Sequence, residues 1–110
     1  MKLNIYDKKD IIKTYEADKY DLMFGTLEDV AEAVKLDELQ TGTDVEVIKM
    51  VGRFVFSSMD TVKALMKDIF EGLTDEELRN TKVSDMASVL VDVVKFTIEQ
   101  LNVGASRRKN

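Results

Sequence analysis

Histidine, cysteine, tryptophan and proline are all absent from this chain of 110 residues. Without histidine and cysteine, the sequence excludes a Ser-His-Asp triad, a cysteine nucleophile and a zinc site built from Cys and His. It also excludes disulfides, so the fold does not depend on an oxidising compartment. Without proline, long helical patterns can run with no proline break. Carboxylates remain as the only plausible catalytic material.

Long hydrophobic runs are also missing. The sequence contains no stretch of about 18 apolar residues, and its first residues do not resemble a signal peptide. We therefore expect no membrane span and no membrane partner, and we expect the protein to act in the cytoplasm.

Positive charge is scarce over most of the chain, which has 16 Lys and Arg against 21 Asp and Glu, a net charge of −5. Arg107, Arg108 and Lys109 supply three of the positive charges, so residues 1–103 carry 13 positive against 21 negative charges, a net of −8. Binding to a phosphate backbone requires a basic surface. The charge therefore argues against a nucleic-acid partner.

The first twenty residues carry strand patterns. Residues 2–6 alternate between polar and apolar side chains, residues 7–10 are polar, and residues 11–17 are rich in β-branched and aromatic side chains. Two such runs around a short polar loop predict a β-hairpin. Because an isolated hairpin is only marginally stable, we expect it to pack on the rest of the chain.

Helix signals follow. Four hydroxyl side chains stand at expected helix starts: Thr26, Thr43, Thr74 and Ser84. Thr43 and Thr74 are each followed three residues later by glutamate, which is the capping-box pattern. Gly42 and Gly72 are expected to end helices, and the segment 57–60 is expected to kink a helix or to cap a new one.

These patterns predict a mainly α fold of the α+β class, in which an N-terminal β-hairpin is followed by a bundle of about four or five helices. Residues 1–103 are expected to form a single globular domain. Residues 104–110 have no apolar pattern, and they are expected to form a disordered basic tail.

Two acidic clusters are the only candidates for catalysis or metal binding. They are Glu28, Asp29 and Glu32, and Asp75, Glu76 and Glu77. Both lie in the first turns of predicted helices, where capping and the helix dipole favour acids. No spacing typical of a calcium loop or a phosphate-binding loop is present. We therefore predict no catalytic residue, no metal ion and no cofactor.

The helix predicted after Thr43 carries more apolar surface than one packing face needs. One apolar row consists of Ile48, Val51 and Val55, and the other of Val47, Met50 and Phe54, while Phe56 adds to the excess. Our hypothesis is that Val47, Met50 and Phe54 bind a client helix or a second copy in a homo-oligomer. The alternative is a central helix that is covered on both sides by its own chain.

Several runs of the sequence resemble one protein family. They are the strand segments 2–6 and 11–17, YDLMFGT at 20–26, VIKMVG at 47–52, KDIFEGLTDEEL at 67–78 and VDVVKF at 91–96. The chain resembles the tail assembly chaperones of long-tailed phages and prophages of Gram-positive bacteria. These runs contain no catalytic motif, so the resemblance carries no functional residue over to this chain.

The resemblance implies a non-enzymatic assembly factor in the host bacterial cytoplasm. Proteins of this kind bind the tape measure protein while the tail tube polymerises. Many have a longer form, made by ribosomal frameshifting, that links the client to tail tube subunits. Arg108, Lys109 and Asn110 can be encoded AGA-AAA-AAC, which contains the slippery heptamer A-AAA-AAC. Our hypothesis is that a longer product shares this chain, and the alternative is an ordinary basic tail followed by a stop codon.

Three other functions remain open at this stage. The first is a small acidic regulatory adaptor or anti-repressor, which would also act by protein–protein binding. The second is a DNA-binding repressor, which the negative charge of residues 1–103 disfavours. The third is an enzyme that uses carboxylates. A tape measure gene immediately downstream would favour the chaperone, whereas a repressor or integrase gene nearby would favour the regulators.

Overall fold

The computed structural model describes residues 1–36 and 43–109. It begins with two antiparallel strands, β1 (Lys2–Asp7) and β2 (Asp10–Glu16), and a 3₁₀ turn, Lys19–Asp21. Five α-helices follow within the described residues: α1 (Phe24–Ala33), α2 (Asp44–Ser57), α3 (Met59–Ile69), α4 (Asp75–Arg79) and α5 (Val83–Lys109). The predicted fold class, a hairpin followed by helices, is confirmed.

The hairpin packs on the helices through one face of β1. Leu3 and Ile5 alternate with more exposed residues and are buried in the core. Tyr6 pairs with Ile11 and Ile5 pairs with Lys13, so Ile12 is an extra residue that forms a bulge in β2. The bulge interrupts the alternation expected of this strand, and Ile11 and Ile12 are both exposed.

Helix α5 is the centre of the fold, because it packs against β1, α1, α2 and the 3₁₀ turn. Five of its buried residues recur with the helical period: Met86, Val89, Leu90, Val93 and Val94. Side chains of α1, α2, α3 and β1 complete one continuous hydrophobic core around this helix. The hairpin is therefore part of the same core as the bundle.

Two of the four predicted N-caps are confirmed by the structure. Thr43 and Thr74 are N-caps, and the Thr74 box is complete in both directions. Thr26 is not a cap, because α1 begins two residues earlier and Thr26 is buried, with its N–H bonded to the carbonyl of Met23. Helix α5 begins one residue before the predicted cap, Ser84.

Two predicted breaks are present in the structure. Ser58 separates α2 from α3 with a non-helical conformation, φ −140° and ψ 54°. Gly72 adopts φ +86° two residues after Phe70, the C-cap of α3. Glycine suits this position because other residues rarely adopt such angles. The break predicted at Gly42 lies outside the described residues.

The backbone of α5 is helical through Lys109, whereas the sequence pattern predicts a disordered tail over 104–110. Alanine and arginine favour helix, and cations near a helix C-terminus are stabilised by the helix dipole. These preferences account for helix beyond Gly104. The division of the chain at residue 103 stays a prediction.

Candidate partner-binding surface

The structure places the predicted partner-binding residues in the hydrophobic core. Val47, Met50 and Phe54 are all buried, with only 4% of Phe54 exposed. Their side chains are therefore not available to a partner on the surface. This corrects the site expected from the sequence and agrees with the alternative, a central helix that is covered on both sides.

The physical reason is that α2 has two helical neighbours. It packs against both α3 and α5, so its two apolar rows both contribute to the core. Val51 and Val55 of the other row are buried as well. Ile48, which the sequence placed in that same row, is 57% exposed.

A third row of α2 faces away from the core. It consists of Val45, Ile48, Gly52 and Phe56, which follow one another at intervals of three, four and four residues and so lie on one helix face. We call this row the α2 stripe. Its three apolar side chains are among the most exposed large hydrophobic residues in the described part of the chain, and Phe56 is 80% exposed.

Gly52 forms a low point in the middle of the α2 stripe. A Cβ atom added at this position would meet no atom within 4 Å. A shallow depression lies beside it, lined by Arg53, Phe56 and Ser57. The stripe therefore has apolar side chains on both sides of a point where the backbone itself is accessible.

Two cations border the α2 stripe along one side. Lys49 and Arg53 are one helical turn apart, both are exposed, and they line a second depression together with Thr43, Val45, Glu46 and Gly52. Neither cation forms an ion pair with another residue in the described ranges. Glu46 lies farther around the helix from the stripe than these two cations. This border of the stripe therefore carries two cations and one acid, a net positive charge on a chain whose net charge is −5.

A second exposed apolar group lies where the 3₁₀ turn meets α1. Met23 and Phe24 are mostly exposed there. Tyr20 is also exposed, but its ring packs edge-on against Phe96 of α5 at 5.4 Å between centroids, and Lys19 lies over the same ring. Part of this group therefore already has a structural role within the chain.

A surface cleft lies between the end of β2 and α5. It is lined by Lys19, Asp92, Lys95, Phe96 and Glu99, together with residues from both ends of the hairpin. Charges of both signs alternate along its walls. This mixture does not indicate a ligand of either charge.

The acidic cluster at the start of α4 is part of a structural network. Glu77 Oε1 accepts hydrogen bonds from the Tyr15 hydroxyl at 2.6 Å and from the Thr74 N–H at 3.1 Å. Glu77 Oε2 lies 3.1 Å from Lys13 Nζ. Chiefly because of the Tyr15 hydrogen bond, the pKa of Glu77 falls from 4.5 to about 2. A carboxylate held ionised in this way is suited to capping and anchoring rather than to proton transfer.

The neighbouring acid Asp75 also takes part in a structural interaction. Asp75 forms an ion pair with Lys67 of α3, which lowers the pKa of Asp75 below its usual value. Among the described residues, no group of three or more acidic side chains is placed to hold a metal ion. In the same part of the chain, no helix is both long and apolar enough to cross a membrane.

Comparison with known proteins gives no match to a family model, to a curated protein or to a solved structure. The α2 stripe is therefore identified from its geometry alone. The sequence contains a signal for it, because Val45, Ile48 and Phe56 share a helix face with Gly52. The two stronger apolar rows beside it obscured that signal.

Proposed function

We propose that this protein is a tail assembly chaperone, a non-enzymatic factor that binds the tape measure protein in the host bacterial cytoplasm while a phage tail tube is assembled. The sequence runs that resemble this family support the proposal. The observation that carries it is the α2 stripe, an exposed apolar face on a helix whose other apolar residues, Val47, Met50, Val51, Phe54 and Val55, are already packed in the core.

An assembly chaperone requires two physical properties. It must offer apolar surface to a client that would otherwise aggregate, and it must itself stay in solution. Large apolar patches on a folded protein typically mark interaction sites, and net charge opposes aggregation. The α2 stripe supplies the first property, and a net charge of −5 supplies the second.

The expected mode of binding is an amphipathic helix of the client lying against the α2 stripe. Helices recognised in this way present apolar anchors at i, i+3, i+4 and i+7. Val45, Ile48, Gly52 and Phe56 stand at i, i+3, i+7 and i+11, so they form one face over three turns of α2 on which such a row of anchors can lie. A longer frameshifted product would carry the same surface and add a segment that contacts the tail tube protein.

Co-expression tests this proposal directly. The protein is produced with a tape measure protein from the same genome, and in parallel with a tail tube protein from that genome. We expect a stable complex with the tape measure protein, which stays soluble only when this chain is present. A tape measure protein that neither co-purifies nor gains solubility would refute the proposal. A complex with a repressor from the same genome would favour the regulatory adaptor instead.

A further inference from the structure

We infer that the partner of the α2 stripe is a helix with an apolar ridge and an acidic edge, and that this helix packs closely over Gly52. The inference rests on the proposed function, since it describes the client segment that the chaperone would bind. Three features of the surface lead to it, and they are the glycine, the shape of the stripe and the charge along its border.

Nothing in the described part of the chain explains Gly52. Glycine is among the least favourable residues in a helix interior. The position is helical, and a Cβ atom there would meet nothing within 4 Å, so neither backbone conformation nor packing requires glycine. Glycine in the middle of an exposed apolar face allows another backbone to approach closely. The structure therefore assigns Gly52 to contact with a second chain.

The shape of the stripe fits a helix. Ile48 lies about one turn before Gly52 and Phe56 about one turn after it, so two exposed apolar side chains flank the low point. Ridges of side chains on one helix pack into the grooves of another in this way. A ridge centred on Gly52 would contact both Ile48 and Phe56, and it would cover their exposed surface.

The charge along the border of the α2 stripe indicates the chemistry of the partner helix. Lys49 and Arg53 border the stripe on one side, so a partner with acids along that edge gains attraction. On the other side, Asp44 already pairs with Lys95 at 2.9 Å. A second copy packed antiparallel on the same stripe would bring the cations of the two copies together. Like charges in contact disfavour that arrangement.

Two synthetic helical peptides test the inference without the tape measure protein. Both carry a leucine ridge with helical spacing; one has glutamates along the edge of the ridge, and the other has lysines at those positions. Titration calorimetry with the full-length protein is expected to give at least about tenfold tighter binding of the acidic peptide. The combined change Lys49→Glu and Arg53→Glu is expected to abolish or reverse this preference, whereas the double control Lys9→Glu and Lys63→Glu preserves it.

Gly52→Leu tests the close approach, and Gly25→Leu is its matched control. Gly25 is also helical with open space at its Cβ position, but it lies on α1, outside the α2 stripe. Both variants are expected to fold, as thermal unfolding would verify. Only Gly52→Leu is expected to weaken binding of the acidic peptide, by about tenfold or more.

Three results would overturn the inference. They are equal binding of the two peptides, including no binding of either; equal effects of the two leucine variants; and self-association in sedimentation that Gly52→Leu abolishes, which would identify a second copy as the occupant. If the tape measure protein co-purifies while one of these results is found, the proposed function stands and this inference fails. If the acidic peptide binds over Gly52 but the tape measure protein does not co-purify, the proposed function fails instead.

Discussion

The hydroxyl of Tyr15 donates a 2.6 Å hydrogen bond to the Glu77 carboxylate and so ties the N-terminal hairpin to the first turn of α4, 62 residues farther along the chain. Glu77 also completes the capping box of that helix with Thr74. One carboxylate therefore starts a helix and anchors a strand. This relationship makes the hairpin sensitive to the ionisation of Glu77.

Acid is expected to destabilise the fold through Glu77. Its pKa is lowered from 4.5 to about 2 on folding, so the stabilisation from its ionised form is complete above pH 4.5 and is lost as the pH falls towards 2. Tyr15→Phe removes the largest cause of that shift. We expect the variant to unfold at lower temperature at pH 7 and to depend less on pH between 4.5 and 2.

Thermal unfolding measured at intervals from pH 7 to pH 2 checks this prediction. Tyr20→Phe is the matched control, because the Tyr20 ring packs on Phe96 and its hydroxyl forms no hydrogen bond to the described residues. If Tyr15→Phe and the wild type had superimposable pH profiles, Tyr15 would not control the ionisation of Glu77.

The N-cap at Thr74 is expected to contribute to the stability of the fold and to no chemical activity. Thr74 Oγ1 accepts a 3.1 Å hydrogen bond from the Glu77 N–H. Thr74→Ala is expected to lower the free energy of unfolding by about 1 kcal/mol. Thr43→Ala is expected to have an effect of similar size at the start of α2. Denaturant titration measures both, and an unchanged midpoint for Thr74→Ala would contradict the prediction.

Two phenylalanines on α2 distinguish the core face of this helix from its exposed face. Phe54 is 4% exposed and Phe56 is 80% exposed, although they are only two residues apart. Phe54→Ala is expected to reduce the free energy of unfolding by about 3–5 kcal/mol, because it leaves a cavity in the core. Phe56→Ala is expected to change it by less than about 0.5 kcal/mol. Equal losses in denaturant titrations would show that Phe56 is packed and that the α2 stripe is not a free surface.

Gly52→Ala is expected to stabilise the isolated protein. The added methyl group meets open space, and alanine favours helix over glycine by roughly 0.5–1 kcal/mol. The unfolding temperature should therefore rise by a few degrees. A fall in that temperature would reveal an intramolecular role for Gly52 and would remove the main reason to assign it to a partner.

Local signals in the sequence predict much of the fold. The Thr74 box depends only on two residues that are three apart along the chain, so its pattern is enough to locate the start of α4. The alternation of Leu3 and Ile5 likewise predicts the buried face of β1. The bulge at Ile12 has no such local signal, because it depends on how β2 aligns with its neighbouring strand.

The surface for a partner was harder to predict because burial is a property of the whole fold. Helical periodicity places Val47, Met50 and Phe54 in one row but does not reveal how many neighbours α2 has. With α3 and α5 both packed against it, two rows are needed for the core. The face left over is the one that contains Gly52, whose lack of a side chain made it the weakest of the three patterns.

The assignment of the α2 stripe as the client-binding surface is tested most directly by the affinity of the purified protein for the tape measure protein. This affinity is compared between alanine variants of two exposed phenylalanines. Phe56 lies on the α2 stripe, and Phe24, which is 71% exposed, lies on α1. Loss of an anchoring aromatic typically costs about 2 kcal/mol or more of binding free energy. We predict a loss of that size for Phe56→Ala and an affinity close to wild type for Phe24→Ala. Unchanged affinity for Phe56→Ala, or a larger loss for Phe24→Ala, would contradict the assignment of the α2 stripe as the client-binding surface.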